Sequence, residues 1–129
     1  MTSAASRFSL GFSRVDGRVI VSVEGALDGA SAPQLRDRLR DLIEGQGNRH
    51  LVLDLARTTR VDPAGLAVLV GARGRLRTAG GELVLAGLSD EIACSLAAVG
   101  LDRVFPIAPS DAARANEAHG AVDRVGGDG

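Results

Sequence analysis

The residues able to do chemistry are few and scattered. Histidine occurs twice, as His50 and His119, and cysteine once, as Cys94. Neither histidine has a second His or Cys at metal-ligand spacing, so both are expected at the surface and no metal is expected. Cys94 sits among Ile92, Ala93 and Leu96 on a predicted helix. Burial as a small hydrophobe is the expected role, with a redox sensor as the alternative. All 15 basic residues are arginine, so the chain has no Gly-rich phosphate loop followed by lysine. Arg36, Arg38 and Arg40, like Arg73, Arg75 and Arg77, recur every second residue. On a helix that spacing spreads charge around the axis, which describes a solvated surface. No set of His, Cys, Lys or paired carboxylates converges, so no enzyme and no cofactor are expected.

One segment is locally informative. Leu51-Val52-Leu53-Asp54-Leu55 is a near-continuous apolar run, as in a strand buried on both faces. After a short loop, Asp62-Pro63 opens a helix: a carboxylate at the N-cap, then proline at the first helical position. The free amides of such a helix start suit an anion or an acidic group of a partner. A well-made cap with no further role explains the same residues.

The surrounding elements must position that segment. Phe8 to Phe12 alternates and reads as a strand, Asp16-Gly17 as a hairpin turn, and Val19 to Val23 as the returning strand. Ser31-Ala32-Pro33-Gln34 has the form of a capping box. Leu35, Leu39, Leu42 and Ile43 follow on one helical face, which should end near Gly45 or Gly47. In the second helix Leu66, Leu69, Val70 and Leu76 are expected inward. Gly71 and Gly74 cost it about 1 kcal/mol each, and close approach to the sheet is the expected compensation. Leu83 to Ala86 reads as a strand, Ser89 to Val99 as a short helix closed by Gly100, Val104 to Ile107 as a short edge strand, and Ser110 to His119 as a last helix.

This order predicts an α/β fold: a mixed, mostly parallel sheet opened by a β-hairpin, with about four helices packed largely on one face. The 129 residues suit one domain. It is expected over 8–119, between an N-terminal tail, 1–7, and a polar, Gly-rich disordered tail, 120–129. A net charge of −1 speaks against a nucleic-acid footprint. The scarcity of aromatics, Phe8, Phe12 and Phe105 only, speaks against base stacking. No apolar run nears the ~18 residues of a membrane span, and one cysteine fits a reducing compartment. A cytoplasmic location is therefore expected.

Five segments in order resemble the STAS domain family, and the bacterial anti-sigma factor antagonists within it. They are Gly25-Ala26-Leu27-Asp28, Leu51 to Leu55, Val61 to Leu66, Ala79 to Leu83, and Val99 to Phe105. The resemblance runs from about Phe8 to His119. It implies a domain that binds an anti-sigma factor, commonly a serine kinase of the histidine-kinase-like ATPase fold, and so frees sigma factor to regulate transcription. It implies a partner-binding surface of Asp28 and Gly29 on one loop and Asp62, Pro63, Ala64, Gly65 and Leu66 on another. The family's phosphoacceptor Ser or Thr falls on Ala64, which has no hydroxyl, so the usual phosphorylation switch is expected to be missing. The nearest hydroxyls, Thr58 and Thr59, are expected in the loop before Asp62. The resemblance also admits a STAS subunit of a larger assembly, such as a lipid-transport ABC system or a stress-signalling complex, and a small-ligand sensor.

Overall fold

A computed structural model describes residues 8–108. The tails expected at 1–7 and 120–129, the helix expected over Ser110 to His119, and His119 itself lie outside the described residues.

The sheet grows outward from aliphatic strands that must be covered. β1 (Ser9–Val15) and β2 (Arg18–Leu27) form the expected antiparallel hairpin. Its turn is Asp16-Gly17, both at positive φ (50° and 80°), as a tight hairpin requires. β3 (His50–Val61) and β4 (Glu82–Ala86) add in parallel, and β5 (Ile107–Ala108) closes the order β1-β2-β3-β4-β5. Val19, Val21 and Val23 of β2, Leu51, Leu53 and Leu55 of β3, and Leu83 and Leu85 of β4 point to one face. There they meet the helices α1 (Ala32–Arg40), α2 (Pro63–Thr78) and α3 (Asp90–Ala98). The three helices pack on one side, as expected. The other face carries a smaller cluster of Ile20, Val52 and Ala86.

β3 is longer than its apolar run predicts. Its register against β2 shifts between Ser22 and Glu24 and again between Gly25 and Ala26. Each shift adds one residue to β3, a bulge that resets which side chains face inward. After Leu55 the buried residues are therefore Thr58 and Val61, three apart rather than two. Thr58 and Thr59 thus belong to the strand and not to a loop. Thr58 is buried, and its hydroxyl donates to the Val23 carbonyl at 2.8 Å.

Four local expectations are corrected by packing. Ser31 makes no capping bond; α1 runs on through a π-helical turn at Asp41–Gly45. In α2 the inward face is Gly65, Leu69, Ala72 and Leu76, and Val70 is 42% exposed. Gly71 and Gly74 are exposed, and a Cβ at Gly74 would meet nothing within 4 Å, so close approach to the sheet is not their compensation. Cys94 is exposed, because Ile92 and Leu96, two residues to either side, take the buried face of α3. A fifth correction lies at the sheet edge. Leu101–Arg103 forms a single 3-10 turn, Phe105 fills the core at 4% exposure, and the strand begins only at Ile107.

Candidate functional site

The two expected loops meet because their strands are neighbours. Leu27 pairs with Val61 at the C-terminal ends of β2 and β3, and the Asp62 amide donates to the Leu27 carbonyl at 3.1 Å. Asp28 and Asp62 therefore leave adjacent parallel strands side by side. This edge, beyond the carboxyl ends of parallel strands, is where open α/β sheets place their ligands.

Asp62 is the N-cap of α2. Its Oδ1 accepts from the amides of Ala64 at 2.9 Å and Gly65 at 3.1 Å, with Pro63 at the first helical position. The cap was legible because all its partners lie within three residues. Pro63 and Ala64 are exposed, Leu66 is half-buried against the core, and Gly65 is buried. A Cβ at Gly65 would lie 2.7 Å from the Leu27 carbonyl oxygen and 2.8 Å from the Leu27 Cγ. Glycine is needed there so that the first turn of α2 can press onto the end of β2.

Asp28 organises the other loop. Its Oδ1 accepts from the amides of Ala30 at 3.0 Å and Ser31 at 3.2 Å. Its Oδ2 accepts from Arg60 of β3 at 3.1 Å. The Ser31 amide, followed by the Ala30 amide, the Ser31 hydroxyl and the Arg60 guanidinium, holds the Asp28 carboxyl below the usual carboxylate range. The Ser31 hydroxyl donates to the Ala26 carbonyl at 2.6 Å and accepts from the Asp28 amide at 3.0 Å. That tertiary use of the side chain is why it does not cap α1.

Between α1 and α2 a groove of about 350 Å³ opens at this end of the molecule. Gly29, Ala32 and Pro33 form one wall, and Ala64, Ala67 and Val68 the other, with Arg36 and Arg75 flanking it. Small residues keep it open. Arg75 is held by Glu44 at 3.3 Å. Of the seven expected residues, Gly29 and Ala64 line the groove, while Asp28, Asp62 and Gly65 shape the backbone around it. The α1 wall and Arg60 were not anticipated. Ala32 and Arg36 are four apart on a helix, as are Ala64 and Val68, a spacing that could have revealed the groove. Nothing local marks Arg60.

His50 is exposed at the start of β3. Among the described residues there is no group of three or more His, Cys, Asp or Glu side chains able to hold a metal. Among those residues, no helix is long and apolar enough to cross a membrane.

Comparison with known proteins agrees with this architecture. The chain is similar to BtrV of Bordetella bronchiseptica, provisionally named an anti-sigma factor antagonist. The two are 34% identical over 102 residues, which cover 79% of this chain and 87% of BtrV. It is 33% identical over 87 residues to the anti-sigma-B factor antagonist of Listeria monocytogenes, covering 67% of this chain and 75% of that protein. Its fold matches the crystal structure of an anti-sigma factor antagonist from Mycobacterium paratuberculosis with a TM-score of 0.76. That pair is 26% identical, covering 89% of this chain and 98% of the other. The family model of the STAS domain matches residues 12–113. With hairpin, parallel strands and one-sided helices in the family's order, the chain belongs to the STAS domain family.

Proposed function

We propose that this protein is an anti-sigma factor antagonist: it binds an anti-sigma factor, releases the sigma factor and so regulates transcription, without catalysis of its own. The observation that carries the proposal is the meeting of the Asp28–Gly29 loop with the exposed first turn of α2 across one groove. Two relatives bear this function in their names. The partner's class is a serine kinase of the histidine-kinase-like ATPase fold, acting in the cytoplasm. Asp28, Gly29, Asp62, Pro63, Ala64 and Leu66 face or shape the contact, and Gly65 seats the helix that presents it.

The family's phosphoacceptor position is Ala64, the second residue of α2, exposed and without a hydroxyl. A phosphate there would add roughly −1.5 to −2 charges, which a docked partner would have to desolvate. Thr58 offers no substitute, because its hydroxyl is buried in β3, and Thr59, though exposed, lies on β3 and not on the first turn of α2. The protein is thus constitutively competent to bind, and control falls to its abundance or to competition with sigma.

The test is binding to the cognate anti-sigma factor by calorimetry, with and without prior incubation with that partner and ATP. The wild type should bind equally well in both cases and carry no phosphate by mass spectrometry. Ala64→Glu should keep its melting temperature, since an acidic residue in a first helical turn is favourable, yet bind at least about tenfold more weakly, or about 1.4 kcal/mol. Phosphorylation of the wild type with loss of binding would overturn the absent switch. Unchanged affinity in Ala64→Glu would overturn the surface.

A further inference from the structure

The helix-free face of the sheet holds a cleft that the partner surface does not use. Across one row of that face lie Gly11 of β1, Ser22 of β2, Asp54 of β3 and Ala86 of β4, in direct register. One step toward the strand ends, Ser9 stands opposite Glu24, and Glu24 opposite Arg57. The small side chains of Ser9, Gly11, Ser22 and Ala56 leave a hollow of about 290 Å³, with Glu24, Asp54 and Arg57 on its lining.

Asp54 is the unusual member. It is only 9% exposed, one of three buried polar side chains among the described residues. The other two, Ser31 and Thr58, donate their hydroxyls to backbone carbonyls. Among the described residues the Asp54 side chain has one hydrogen bond: its Oδ1 accepts from the Ala56 amide at 3.1 Å, across the first β3 bulge. Gly87 leaves room for this carboxylate: a Cβ there would stand 2.8 Å from Oδ1. Oδ2 has no protein partner among the described residues. Asp54 lines the hollow, so a cation there would meet a carboxylate that has a single neutral donor.

We propose that this cleft binds a small organic amine, its ammonium or guanidinium group held between Asp54 and Glu24. Two carboxylates without a third acidic or imidazole ligand favour such a group over a divalent metal. The hydroxyls of Ser9 and Ser22 supply further acceptors, and Arg57 on the rim can engage an anionic end of the same ligand. Binding here leaves the α1–α2 groove free, so the site is independent of the anti-sigma factor contact.

The experiment is an amide NMR titration of the full chain with putrescine and agmatine at millimolar concentration. 1,4-Butanediol and succinate serve as neutral and anionic controls. Saturable shifts should centre on Ser22, Glu24, Ala56 and Arg57 with the amines only. Asp54→Asn preserves the bond from the Ala56 amide and should weaken binding about tenfold or more, as expected for loss of a charged hydrogen bond. Glu24 is exposed, so Glu24→Gln tests the same point without risk to the fold and should weaken binding severalfold. The proposal is overturned if neither amine gives saturable shifts, if the diol or succinate gives the same shifts, or if amine binding survives both substitutions unchanged.

Discussion

The starts of α1 and α2 use the same local device to different ends. Asp28 and Asp62 each follow a parallel strand, and each accepts from the amides two and three residues ahead. At Asp62 that is all the side chain does, and the helix begins at the next residue. At Asp28 the second carboxylate oxygen is taken by Arg60, 32 residues away, and the Ser31 hydroxyl is turned back to Ala26. The helix then starts only at Ala32. One helix start is a local structure that presents Ala64. The other is a tertiary knot that fixes the loop beside it. The difference shows that residue types alone do not tell a cap from a crosslink.

The contrast would break first at Gly65. Gly65→Val places methyl groups where the Leu27 carbonyl and the Val61 side chain already stand. A loss of about 3 kcal/mol is expected in urea denaturation, the upper part of the usual overpacking range. A loss below about 1 kcal/mol would mean that α2 is not pressed onto β2.

Ser31 and Asp62 sharpen it. Ser31→Ala leaves the Ala26 carbonyl and the Asp28 amide without their partner, at an expected cost of about 2 kcal/mol. Asp62→Ala removes a cap and should cost about 1 kcal/mol. Ser31→Asp separates the two roles. Aspartate is a good cap but has no proton to give the Ala26 carbonyl, so it should be no more stable than Ser31→Ala. Full rescue by Asp would reduce Ser31 to a cap, as its sequence context suggested.

The smallest effect is the pH dependence of the Asp28 knot. The folded state holds this carboxyl below its ordinary value of about 4. Its contribution is therefore complete above that ordinary value and is lost as pH falls through the depressed folded one. Asp28→Asn should flatten this part of the acid limb of the melting curve. Equal acid limbs in the wild type and Asp28→Asn would remove the carboxylate from the network.

The sequence by itself determined what depends on a few neighbouring residues. The Asp16-Gly17 hairpin, the Asp62-Pro63 helix start, the Ser89 cap, whose hydroxyl accepts from the Ile92 amide at 3.1 Å, and the missing hydroxyl at Ala64 are all of this kind. Tertiary structure decided what depends on the strand or helix across the gap. β3 runs through Thr58 and Thr59 because its bulges against β2 break the two-residue alternation that marks a strand. Gly65 rather than Val70 faces inward because the approach of α2 to Leu27 sets the rotation of the helix. Cys94 faces outward because Ile92 and Leu96 reach the core first. The seven expected surface residues were brought to one end by the pairing of Leu27 with Val61. The groove needs two segments far apart in the chain, and the cleft at Asp54 needs three, to exist at all. Capping and turn energies are settled within one turn of chain, whereas register and side-chain facing are settled by burial against residues tens of positions away.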